Sequence, residues 1–146
     1  MRRGAPPATR RAHPVAIRPV SARITASGLR HPAAVDLHVH PSFTAELAEL
    51  HRSAPAEARA VRNAVAILQV EGSTLGFPWS SAVRGGDGLR ELRPRRGRSP
   101  WRVLYRRSPS GLELLALAPE AGADRRAFDR ALARAAARAR DRDRGK

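Results

Sequence analysis

Two short runs in this chain, Leu89-Arg90-Glu91-Leu92-Arg93 and Pro100-Trp101-Arg102-Val103-Leu104-Tyr105, carry most of its chemical content. Nine arginines and two acids, Asp87 and Glu91, stand between Arg84 and Arg107. A guanidinium is a planar fork that keeps its charge and pairs with two phosphate oxygens at once. Metal-free cleavage of an RNA backbone needs an in-line 2′-hydroxyl, stabilisation of extra negative charge, and proton transfers at two oxygens. Arginine suits the second task, where one oriented donor contributes roughly 3–4 kcal/mol. It is poor at the third, because its pKa lies above about 12.

The elements around these runs must hold them in place. Val35-Asp36-Leu37-His38-Val39-His40 alternates with period two and predicts a strand ended by Pro41. Ser42 is placed to cap a helix whose Phe43, Leu47 and Leu50 share a face. Ser53 is placed to cap a second helix, with Pro55 in its first turn and Glu57 in reach of a capping box. There Ala58, Val61, Val65 and Leu68 recur at helical spacing, widened by Ala64 and Ile67, and Gly72 closes it. Leu75 to Gly88 reads as loop. Strands follow over Leu89 to Arg93, Trp101 to Arg107 and Leu112 to Ala118, separated by turns. A last helix starts near Asp124, with Phe128, Leu132, Ala135 and Ala139 on one face and Arg130, Arg134 and Arg138 beside it; from Arg140 onward it is expected to fray. The predicted fold is α+β, in the order β-α-α-β-β-β-α, a helical hairpin on a small, mainly antiparallel sheet.

A net charge of +15 on 146 residues makes nucleic acid, the ribosome or an acidic protein the first candidate partner. All but one of the 28 basic residues are arginine. No apolar stretch is long enough to suggest a membrane partner. The absence of cysteine excludes disulfides and thiolate zinc sites. The N-terminus lacks the apolar core of a secretory signal, so the cytoplasm is expected. Residues 1–34 hold seven arginines, five prolines and no acid. They read as a disordered basic arm, or as a start called too early. A domain over 35–140 and a charged tail over 141–146 complete the division.

Strand alternation puts Leu89, Glu91 and Arg93 on one face, and Arg102, Leu104 and Arg106 on one face of the next strand. Glu91 is expected in a cross-strand ion pair and Tyr105 in the core. Trp79 suits either base stacking or anchoring of its loop. Asp36, His38 and His40 share a strand face. That spacing suits a metal, a polar edge, or a proton-transfer role for a histidine, and the polar edge is the expectation. The Arg84-Gly85-Gly86-Asp87-Gly88 stretch lacks the Gly-Lys-Ser/Thr ending of a phosphate loop and reads as a turn.

The order of elements and several local motifs resemble the RelE/ParE toxin superfamily, in particular its HigB-like, phage-derived branch. The resemblance rests on the strand entering Pro41-Ser42-Phe43, the helix ending at Leu68 to Gly72, and Leu75-Gly76-Phe77-Pro78. It rests most on Gly88-Leu89-Arg90-Glu91-Leu92-Arg93 and Trp101-Arg102-Val103-Leu104-Tyr105, then on Leu112 to Leu117 and the helix from Arg125. It spans roughly Val35 to Arg140. It implies a toxin of a toxin–antitoxin pair, an endoribonuclease that cuts messenger RNA on the ribosome without metal or cofactor and is neutralised by a cognate antitoxin protein. A non-catalytic binder of RNA, ribosome or antitoxin, or a ParE-like gyrase inhibitor, is the alternative. By resemblance Arg102 and Arg93 are the catalytic arginines; Arg90, Arg84, Arg106, Arg125, Arg126 and Trp79 are expected to contact substrate from their own chemistry and position. The chain departs from the pattern after the last strand, where Pro119 to Ala123 replaces a basic residue. Phe128 stands where relatives carry a tyrosine or histidine able to move a proton.

Overall fold

A computed structural model describes residues 34–145, so the basic arm lies almost wholly outside the described residues. The elements are β1 (Leu37–Val39), α1 (Pro41–Ser53), α2 (Pro55–Glu71), β2 (Ser80–Ala82), β3 (Arg90–Leu92), β4 (Trp101–Ser108), β5 (Gly111–Pro119) and α3 (Arg125–Arg144). Five strands form one sheet in the order β1-β5-β4-β3-β2. β1 runs parallel to β5, and every other pair is antiparallel. The protein is therefore α+β, with three helices on a mixed sheet and one strand more than the sequence predicted.

The hairpin of α1 and α2 covers one face of the sheet and α3 the other. Phe43, Leu50, Val61, Val65 and Leu68 meet Leu92, Val103, Tyr105, Leu112, Leu114 and Leu117 on the hairpin side. Phe128, Ala131, Ala135 and Ala139 meet Leu104, Leu115, Ala116 and Ala118 on the α3 side. Residues 112–118 are all buried, because β5 lies under helices on both faces. A bulge where Leu104 opposes Ala116 but Tyr105 opposes Leu114 lets Leu115 and Ala116 face the same way.

Several helix ends differ from expectation. α1 begins at Pro41, and His40 caps it: its Nδ1 accepts the Ser42 N–H at 3.0 Å. Ser53 does not cap α2; its hydroxyl turns back to the carbonyls of Glu49 and Leu50, and Ala54 holds the cap position without a side-chain bond. Gly72 closes α2 at φ 61°, where a Cβ would collide with Val35. Asp124 caps α3 by accepting the Ala127 N–H at 3.0 Å.

α3 runs on to Arg144 instead of fraying at Arg140. Arg142 reaches Glu113 at 2.9 Å, and Arg106 bridges Glu113 at 2.7 Å and Asp143 at 2.6 Å. Part of the Arg130, Arg134, Arg138 row is engaged by the fold as well. Arg138 donates to the Leu115 carbonyl at 2.7 Å and to Glu46 at 2.9 Å. Glu46 also accepts the Leu117 N–H at 3.0 Å. β1 pairs only with Leu112 to Leu114, so this Glu46–Arg138 pair satisfies the β5 edge beyond it.

Candidate nucleic-acid interface

The predicted arginines divide between two ends of the sheet. Arg84 lies in the turn after β2, Arg90 at the start of β3, and Arg106 near the end of β4. Arg90 and Arg106 share a polar cavity of about 510 Å³ with Arg107. Neither of the two is wholly free there. Arg90 donates to Ser80 Oγ at 3.1 Å and to the Tyr105 hydroxyl at 3.3 Å, beneath a 2.5 Å bond between those two hydroxyls. Arg106 is neutralised by two acids; the hydrogen bonds it donates to Asp143 and then to Glu113 hold it well above the usual arginine range, more than burial lowers it.

The other end carries Trp79, Arg93, Arg102 and the β3–β4 connection. Arg102 occupies the interior, contrary to the phosphate-facing place expected of it. It is 3% exposed. Its Nη1 donates to the carbonyls of Ser99 at 2.8 Å and Trp101 at 2.9 Å, and its Nη2 to Glu120 at 3.2 Å and the Gly97 carbonyl at 3.5 Å. Its Nε faces Glu91 at 3.6 Å. Burial, then the nearby Arg93 charge, lower its pKa against the pull of Glu91 and Glu120. With every donor aimed at protein, Arg102 fastens the loop.

Arg93 is more open. Its Nε donates to the Pro78 carbonyl at 3.0 Å, and its guanidinium lies 5.0 Å above the ring of Phe77, which is 75% exposed. Glu91 faces Arg102 across the strands at 3.6 Å, as expected of a cross-strand pair; it also lies 3.7 Å from Arg93, two residues along its own run, and accepts from Ser81 Oγ at 3.2 Å.

Sequence reasoning missed the loop itself. In Pro94–Gly97, Arg95 (φ 56°), Arg96 (φ 59°) and Gly97 (φ 94°) all take left-handed backbone conformations. Gly97 suits its place, since a Cβ there would strike the Arg93 guanidinium. A left-handed non-glycine residue costs about 1–3 kcal/mol and persists only where its surroundings insist. Those surroundings are Arg102 on one side and Glu57 on the other. Glu57 accepts from Arg95 at 2.8 Å and Ser99 Oγ at 2.7 Å, and Ser99 Oγ in turn receives the Trp101 N–H at 3.1 Å. Arg96 and Arg98 are left exposed, with no side-chain hydrogen bond or ion pair among the described residues. The Arg-Arg-Gly-Arg run was the available signal.

Arg125 and Arg126 stand at the start of α3, at this same end, because Glu120 bonds back to Pro100 through its N–H at 2.8 Å. Both are exposed; Arg125 pairs with Asp129 at 3.4 Å. Phe128 is 5% exposed in the α3-side core. His38 bonds Ser110 Oγ at 3.0 Å, and His40 caps α1. Both histidines belong to the β1 edge, three strand spacings from β3 and so roughly 14 Å away, too far to serve Arg93. Among the described residues no group of three His, Asp or Glu side chains could hold a metal, and no helix is long and apolar enough to cross a membrane.

Glu57 gives this loop a pH dependence. Burial raises its carboxyl, but the hydrogen bonds from Ser99 and Arg95 and the Arg95 charge outweigh that and hold it below the ordinary value of 4.5. A folded pKa below the unfolded one means the stabilisation is complete above about pH 4.5 and fades as pH falls through the folded value. Glu57→Gln should flatten that part of the stability–pH curve, read as urea midpoints between pH 3 and 6 at roughly half-unit steps. Identical acid dependence in the two proteins would refute the assignment.

No family model matches the chain, and no match is found among curated proteins or solved structures.

Proposed function

We propose that this protein binds single-stranded RNA through the β3–β4 end of its sheet, as a HigB-like member of the RelE/ParE superfamily that meets messenger RNA on the ribosome and is held in check by an antitoxin. The observation that carries this reading is the braced loop that presents Arg96 and Arg98 beside Arg93. Guanidiniums on a fixed backbone bind phosphate without first losing loop entropy. Arg102 is buried and bonded to the loop's carbonyls, which favours Arg93, Arg96 and Arg98 for phosphate contact, with Arg125 and Arg126 nearby. Of the Arg130, Arg134, Arg138 row, two cations already serve Glu46, which leaves the row less charge to offer an acidic partner.

Cleavage by 2′-hydroxyl attack is the second reading, and Glu91 is what favours it. This carboxylate beside Arg93 could accept a proton next to a bound phosphate. Induction followed by mapping of messenger RNA 5′ ends, together with ribosome co-sedimentation, tests both. Salt-sensitive co-sedimentation without new ends is the expected result. New ends that vanish in Glu91→Gln would establish the second reading. Absence of both binding and new ends would reject the proposal.

A further inference from the structure

A cavity of about 160 Å³ opens between α2 and the segment entering β2, next to the arginine loop. Its walls are the Trp79 indole and the methyl groups of Ala56 and Ala60; its rim is Arg59, Asn63 and Arg95. We infer that this niche takes one unpaired nucleobase of a bound RNA strand, stacked against Trp79, with the flanking phosphates on Arg59 and the β3–β4 loop. The inference rests on the RNA-binding reading and adds a base-recognising pocket to it.

The wall is set in advance. The Trp79 backbone N–H donates to the Gly76 carbonyl at 3.0 Å, and the Trp79 carbonyl accepts the Arg93 backbone N–H at 2.7 Å. Its ring also packs against the hairpin-side core while still lining the cavity. The expected alternatives of loop anchor and stacking platform thus coexist in one residue. Arg95 is fixed by Glu57 at 2.8 Å and by the Ala56 carbonyl at 3.3 Å, so the edges of its guanidinium are used. A guanidinium held by its edges offers its flat face, which stacks on bases as aromatic rings do. Arg59 and Asn63 follow each other one turn apart on the exposed side of α2. Neither has a side-chain partner among the described residues. An amide has both a donor and an acceptor for a base edge. An apolar flat wall with cations outside it matches a base between two phosphates. The volume admits one heterocycle and excludes a duplex.

The test uses the full chain, a ten-nucleotide uridine RNA, and the same backbone with abasic sites. Wild type should bind the uridine strand about 5- to 100-fold more tightly than the abasic one, the usual worth of one stacked base. Uridine RNA should quench the tryptophan emission. The quench should vanish in Trp79→Phe, where Trp101 alone reports, and the preference for the uridine strand should disappear in Trp79→Ala. Arg59→Ala, a change on an exposed helix face, should weaken both strands several-fold. Equal binding of the two strands by wild type would overturn the niche and leave the phosphate-binding loop standing. Binding of neither strand would overturn the RNA reading and the niche with it.

Discussion

Arg102→Ala is expected to lower the unfolding free energy by roughly 3–5 kcal/mol, the range for removing one partner of a buried charge network. The residue at 3% exposure holds the carbonyls of Ser99, Trp101 and Gly97 and the carboxylate of Glu120, and faces Glu91. Truncation leaves three carbonyls short of a donor, at about 1–3 kcal/mol each where water cannot reach them. Glu120 is partly exposed and regains water, which keeps the total from being the sum. Arg102→Lys should recover only part of the loss, since one ammonium cannot span donors fixed on two sides of a planar fork. Urea unfolding gives the magnitude, and proteolysis at Arg95, Arg96 and Arg98 reports whether the loop has come loose. A change below about 0.5 kcal/mol would show that Arg102 is not the loop's anchor. A loss of RNA binding in this variant would say nothing of phosphate contact unless its fold were measured alongside.

The place of Arg102 shows where sequence stops being legible. Alternation correctly put it with Leu104 and Arg106 on one face of β4. What it could not show is that α3 covers that face, or that Glu120 and the Ser99 carbonyl converge on it, because those partners are assembled only by the turn into β4 and the exit from β5. A clue was present in the unbroken apolar run from Leu114 to Ala118, which signals a strand buried on both sides. The helical stripes of α1, α2 and α3 were readable because each has a solvated face to contrast with a buried one. β2 was not: Ser80-Ser81-Ala82 has no β-branched or aromatic residue, and its pairing to Leu92, Glu91 and Arg90 comes from the neighbouring strand. For the site, the run Arg95 to Arg98 was visible as charge. Its backbone conformation, and the bracing by Glu57 some forty residues earlier in the chain, were not.

Arg96→Gly combined with Arg98→Ala should cost about tenfold in RNA affinity per residue at low salt, with little change in stability. Each lost phosphate contact should flatten the plot of log affinity against log salt by about 0.7 for a single strand, so the pair should reduce the slope by roughly 1.4. Stability should hold because neither side chain is bonded within the described fold, and glycine takes the φ of 59° at position 96 more easily than arginine does. The relief of that strain, about 1 kcal/mol, roughly offsets the greater freedom glycine gives the unfolded chain. The two measurements pull apart what one alone would confuse. A variant as stable as wild type with a reduced slope places the phosphate on this loop. An unchanged slope moves it to the opposite end of the sheet, where Arg90 and Arg107 line the larger cavity. The first outcome is the expected one, because Arg96 and Arg98 are exposed and free of side-chain partners among the described residues, whereas Arg90 is held by Ser80 and Tyr105 at the other end of the sheet and Arg106 by two acids.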